Sequence, residues 1–251
     1  MNKILIFILL TISIFIILNK SIYIINYKKE IIEQYTFYYT NQEQLNLIDN
    51  IMTEMNNFKK NSSSVFSNEI LASNVYIYLE DSKSVKKNKE FKHLVTGYSS
   101  KNSITILTGK VMVELPNGNS YTYQNPNQIQ TFYHEYTHVL LYKSTYKILP
   151  HWFSEGLADY MSHSVISKQA KESQTLLNFE EIINDDNWDK YPLDILYSSS
   201  EYYIKRIISI WGESCIKEVI KNISKDEDFV CALEKATGQS YSTIIKILMS
   251  T

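Results

Sequence analysis

Glycine and proline are scarce in this 251-residue chain, at six and four residues. Flexible linkers and disordered tails draw on those residues, so neither is expected, and the length suits one domain built of lobes. Cysteine occurs only at Cys215 and Cys231, far apart in a region of helical pattern. Two such residues exclude a disulfide framework, and their spacing is not that of a metal knuckle. Buried free thiols are expected instead. Lysine and arginine number 25 against 27 acids, and no stretch concentrates them. A nucleic-acid partner is therefore not expected. Lys59-Lys60 and the group Lys86, Lys87, Lys89 read as solvated surface.

Long apolar runs are also few. The conspicuous one is ILIFILLTISIFIIL, Ile4–Leu18, which has no polar face of the kind a core helix carries. As a helix it spans about 22 Å, short of a ~30 Å hydrocarbon core. The following NKSIYIINY lengthens it, with Lys20 able to snorkel. The run lacks alanine, so it has no good small-residue cleavage pattern, and no cysteine follows for a lipoprotein anchor. Residues 1–29 are expected to be a membrane anchor with the remainder on the extracellular side, or else a secretion signal.

Residues 30–251 then form the folded domain. YTFYYT (Tyr35–Thr40) is β-branched and aromatic, a strand signal. Apolar residues at Leu45, Ile48, Ile51, Met52 and Met55 recur at helical spacing. Strands are expected at Asn74–Glu80, His93–Ser100, Ser103–Gly109 and Lys110–Leu115, with a turn over Pro116–Ser120. Beyond Asn125 the pattern becomes helical. Asn125 and Pro126 predict a cap and first position for a helix running to about Lys143, and another helix follows Pro150. The expected class is α+β: a mixed or antiparallel sheet in a sheet-rich lobe (30–125), then a helical lobe (126–251). Residues 31–60 fit the sheet pattern and are expected to be integral rather than an inhibitory segment.

The chain has five histidines, and two of them stand in HEYTH, His134 to His138. On a helix, positions i and i+4 share a face, so two imidazoles can ligate one Zn²⁺. Glu135 sits about 100° round the helix, placed to act as a general base on a water rather than as a ligand. A hydrolytic zinc site needs a third protein ligand and an open position. Farther on comes LPHWFSEGLADY, Leu149–Tyr160. Residues 139–154 leave room for a turn and a returning helix that brings Glu155 beside the histidines. His151, four residues before Glu155, is the rival ligand. His93 and His163 read as ordinary boundary histidines.

HEYTH followed by WFSEGLADY resembles the gluzincins, the thermolysin-like zinc metallopeptidases. The similarity is sharp over about Gln128 to Tyr160 and looser to Gly212. The metzincin continuation is not met, because Leu141 and Ser144 stand where it requires glycine and histidine. The resemblance implies a zincin-like fold with an active-site helix. It also implies His134, His138 and Glu155 as zinc ligands and Glu135 as catalytic base. Asp159 would hold a ligand histidine through its other ring nitrogen, and Gly156 would permit close helix contact. A tyrosine near the start of LYSSSEYYIKRIISIWG (Leu196–Gly212) would stabilise the oxyanion, Tyr197 before Tyr203. In this family a sheet-edge strand binds extended substrate, and Ile104, Thr105, Ile106 and Leu107 are expected to form it.

The function so implied is hydrolysis of peptide bonds in a peptide or protein substrate by an endopeptidase; a zinc aminopeptidase is a further alternative, disfavoured by the lack of a GxMEN-like signature. The alternative of another class is a non-catalytic zincin-fold binding or assembly protein at the cell surface. The intact Glu135 and full ligand set speak against it.

Overall fold

The computed structural model describes residues 27–81, 85–86, 96–114, 120–124, 127–163, 176–225 and 227–250. The apolar segment read as an anchor or signal lies outside them. Among the described residues no helix is long and apolar enough to cross a membrane.

The fold is mixed α+β, with a five-stranded sheet and a helical C-terminal part. Strands β1 (Lys28–Ile32), β2 (Tyr35–Tyr39), β3 (Val75–Asp81), β5 (Gly97–Ser99) and β6 (Ser103–Thr108) form the sheet in the order β1-β2-β3-β6-β5. β2, β3 and β6 run parallel, and the two outer strands are antiparallel to their neighbours. Strands β4 (Val85–Lys86), β7 (Lys110–Glu114) and β8 (Ser120–Gln124) make a second, three-stranded sheet.

Two-residue alternation decides the faces of the larger sheet. Tyr35, Phe37, Val75, Ile77, Leu79, Ile104 and Ile106 are wholly buried. On the opposite face Tyr38 and Tyr78, paired in register, stack with ring centroids 4.7 Å apart. β1 carries exposed Lys28, Lys29 and Ile31, and its sequence has no burial alternation for a periodicity reading to find. Its pairing with β2 supplies the structure, through a tight turn at Glu33, whose φ is 55°.

Between β2 and β3 the chain crosses through α1 (Gln42–Ser62) and the short α2 (Asn68–Leu71). Asn41 caps α1 by accepting a hydrogen bond from the Gln44 N–H. Helix α3 (Gln128–Thr145) packs over the buried sheet face and α1. It begins two residues later than the sequence suggests, with Asn127 at the N-cap position, and Pro126 lies outside the described residues. Tyr146, in the left-handed region at φ 55°, ends α3 and turns the chain into α4 (His151–His163).

The helical part continues with α5 (Phe179–Ile182), a 3-10 turn (Asp185–Asn187), α6 (Leu193–Trp211), α7 (Glu213–Ile223), α8 (Phe229–Thr237) and α9 (Tyr241–Met249). Trp152 and Phe153 at the start of α4 pack against Phe229, and Trp152 also against Phe179, with centroids 5.0–5.7 Å apart. Trp152, Phe153 and Phe179 are fully buried, and each such side chain contributes about 1.5–3 kcal/mol over exposure.

Gly156 sets how closely α4 lies on α6. A Cβ there would stand 2.5 Å from the Ser200 carbonyl oxygen and 2.9 Å from Ile204 Cγ1. The first obstacle is backbone, which cannot rotate aside. Gly156→Ala is expected to push the helices apart at a cost of about 1–3 kcal/mol, lowering Tm by about 2–4 °C per kcal/mol. A thermal melt checks this; an unchanged Tm contradicts the close-packing account.

Candidate metal centre

Helix α3 is amphipathic in an unusual sense: its buried side is aromatic. Phe132, Tyr133 and Tyr136 are fully buried. The Tyr133 ring stacks on Phe58 at 4.7 Å, and its hydroxyl donates to the Ile51 carbonyl at 2.6 Å. The Tyr136 and Tyr35 hydroxyls meet at 3.0 Å. Burial pushes all three phenols above their usual range, Tyr136 to about 12. They therefore stay protonated and serve as fixed hydrogen-bonding groups that stop α3 from rotating.

With that side fixed, His134 and His138 emerge on the face turned toward α4. His134 Nε2 stands 3.1 Å from His138 Nε2 and 3.1 Å from Glu155 Oε2. His138 Nε2 is 3.3 Å from the same carboxylate oxygen. On its other side, His134 Nδ1–H donates to Asp159 Oδ1 at 2.8 Å. Glu155 and Asp159 are one turn apart on α4, so one helix face serves both nitrogens of a single imidazole.

The donor set suits a small divalent cation. A tetrahedral ion with bonds of about 2.0–2.1 Å has ligand–ligand edges of about 3.3 Å, close to the three observed separations. The hydrogen bond to Asp159 fixes the His134 tautomer and leaves the Nε2 lone pair directed at the centre of the triangle. His134, His138 and Glu155 side chains retain 14%, 19% and 18% of their exposure, so the centre is open to a water or a substrate. The trio also attracts positive charge. Burial alone would lower the His134 value, but Asp159 and Glu155 outweigh it and hold the imidazole well above its usual range. Burial would likewise raise Glu155, yet His138 and His134 keep it below the usual carboxylate range.

Glu135 is buried beside β5: its Cγ lies 3.2 Å from where a Cβ on Gly97 would stand. Among the described residues no hydrogen bond ties its carboxylate to the protein. Tyr197, near the start of α6, has its ring centroid 6.0 Å from that of His134. Burial first, and then Glu155, Asp159 and Glu135, push its phenol upward, so it remains a proton donor. Tyr203 points elsewhere. It is buried against Phe179 and donates to the Leu177 carbonyl at 3.3 Å.

His151 stands outside the trio. Its Nδ1 is 3.4 Å from Asp185 Oδ1 and its ring packs 5.2 Å from Trp188. Trp188 in turn lies 6.1 Å from Tyr197, so Tyr197, Trp188 and His151 form an aromatic wall along the site. The sequence reading passed over Trp188, which sits between helices with no motif around it.

One expectation needs correction. Ile104–Leu107 is not at the sheet margin, because β6 pairs with β3 on one side and β5 on the other. Its backbone groups are already used. The margin beside the site is β5, only three residues long and too short to mark itself by alternation. Ser100 N–H donates to the Ser103 carbonyl and Leu107 N–H to that of Thr96. By antiparallel alternation, the N–H and C=O groups of Gly97 and Ser99 then point outward, away from β6.

Both cysteines are free. Cys215 is buried, as expected, with its thiol pushed to about 11 by burial, whereas Cys231 is exposed, contrary to expectation. Searches of protein-family models and of curated proteins gave no match to this chain.

His163, one turn beyond Asp159, is more than a boundary histidine. Its Nδ1 lies 2.8 Å from Glu201 Oε1, which Lys205 Nζ also approaches at 2.7 Å, bracing α4 against α6. The hydrogen bond to Glu201 raises the imidazole above its usual range, and His163 and Lys205 hold Glu201 below its own despite burial. A raised histidine stabilises fully below about pH 6.5 and loses that contribution as pH rises through its folded value. A depressed glutamate contributes above about pH 4.3 and loses it on acidification. The pair is therefore strongest between about pH 4.3 and 6.5. The Tm deficit of His163→Gln should be larger at about pH 5.5 than at about pH 9; an equal deficit at both contradicts the pairing.

Proposed function

We propose that this protein is a zinc-dependent peptidase of gluzincin type, with a zincin-like fold, held at the extracellular side of the cell membrane by its apolar N-terminus or secreted. The observation that carries the reading is the convergence of His134 Nε2, His138 Nε2 and Glu155 Oε2 within 3.3 Å of one another, beside an untied Glu135. The family resemblance itself rests on the motif residues alone.

Bound by His134, His138 and Glu155, a zinc ion would supply Lewis acidity, lowering the pKa of a water and polarising a carbonyl. The chain's own residues provide the rest. Asp159 keeps the His134 lone pair directed inward. Glu135 accepts the proton of the attacking water and later returns it to the leaving amine. Tyr197, kept protonated, donates to the oxygen that gains charge. The outward N–H and C=O groups of Gly97 and Ser99 hold an extended peptide by strand pairing, which recognises backbone and fixes direction. Gly97 lets β5 lie close against α3 beside Glu135, since a Cβ there would stand 2.6 Å from Thr131 Cγ2.

The test is a pair of measurements on the same preparations. The wild type should carry about one zinc per chain by elemental analysis and cleave members of a broad peptide library. Glu135→Gln should keep the zinc and lose at least about a hundredfold in kcat. Zinc retained in both with no cleavage by the wild type would turn the reading to the binding protein of the same fold.

A further inference from the structure

A cleft of about 330 Å³ opens from His138 along the C-terminal half of α3. Its walls are the tip of the β5–β6 hairpin, the α3–α4 connection and the first turn of α4. Among the described residues no carboxylate lines it. We infer that this cleft selects peptides carrying an acidic residue to one side of the bond cut, and that Lys101 is the residue that recognises it. The inference rests on the peptidase reading above and adds the substrate class.

Three observations support it. Lys101 sits at the hairpin tip, exposed, with its Nζ 5.6 Å from the Tyr142 ring centroid. That cation–π contact places the ammonium over the cleft without neutralising it, and Lys101 has no ion pair among the described residues. The tip is tightly closed. The Ser100 and Ser103 hydroxyls meet at 2.7 Å, and Ser100 N–H donates to the Ser103 carbonyl at 2.8 Å, so Lys101 is held where β5 ends. A chain paired along Gly97 and Ser99 would therefore pass the hairpin tip that carries Lys101.

The lining also suits a glutamate side chain, since it combines apolar Ile148 and Leu149, against which an aliphatic stem can pack, with the cation of Lys101. Lys147 adds positive potential, although its Nζ is engaged by the Glu227 carbonyl at 3.2 Å. Two acids stand near the cleft's His138 and His151 walls and both are engaged: Glu155 Oε2 lies 3.3 Å from His138 Nε2, and Asp185 Oδ1 lies 3.4 Å from His151 Nδ1. A cleft lined by one sign of charge raises the local concentration of the opposite sign.

The experiment uses the zinc-loaded protein and one peptide scaffold, with Glu, Gln or Lys placed in turn at each position flanking the cleaved bond. At one position kcat/KM for Glu should exceed that for Gln by about three- to tenfold at low salt. The ratio should shrink as salt is raised from about 50 mM to about 500 mM. Lys101→Glu should reverse the order to favour Lys while leaving the Gln peptide within about twofold of wild type. A merely structural role for Lys101 would move the Gln peptide too and would show no salt dependence. Cleavage with no charge preference, or with the same Glu/Gln ratio in wild type and variant, overturns the inference and leaves the peptidase reading standing. Absence of any cleavage overturns both.

Discussion

Two imidazole lone pairs and a carboxylate oxygen lie within 3.3 Å of one another. Three electron-rich atoms repel at that distance unless positive charge sits among them. This constraint organises the rest of the molecule. Burial works against the charged forms, yet Asp159 and Glu155 raise the His134 imidazole above its usual range, and His138 and His134 keep Glu155 below the usual carboxylate range. A centre with that demand is satisfied by a proton or, with better geometry, by a small divalent cation.

Keeping such a triangle assembled requires two helices to hold their spacing and rotation. α3 is locked from behind by Tyr133 and Tyr136, whose hydroxyls are tied to α1 and β2. α4 is pressed onto α6 at Gly156, where no side chain would fit, and braced one turn on by the contact of His163 with Glu201. The same α4–α6 packing brings Tyr197 to the His134 ring. Removal of one strut thus affects ligands that it does not touch.

Much of this was legible in the sequence where chemistry is carried by spacing. HEYTH fixes two side chains on one face by helix geometry alone, and the EGLAD stretch does the same for Glu155 and Asp159. The placement of α1, β3 and β6 followed from periodicity, because their buried faces alternate or repeat cleanly. What periodicity could not show were elements made by partners. β1 is a charged margin that exists because β2 pairs with it, and β5 is three residues long. The edge role was therefore given to β6, the apolar strand, although apolar character on a strand marks an interior place rather than a margin. Trp188 escaped for a related reason. Its relation to His151 and Tyr197 is purely tertiary, set by the turn between α5 and α6.

The central claim is that His134, His138 and Glu155 close on one metal ion. X-ray absorption at the zinc edge of the zinc-loaded protein tests it most directly. The account predicts two imidazole nitrogens and one or more oxygens at about 2.0–2.1 Å, with imidazole scattering halved in His138→Ala. A zinc shell rich in sulfur, or one unchanged by that substitution, would contradict it.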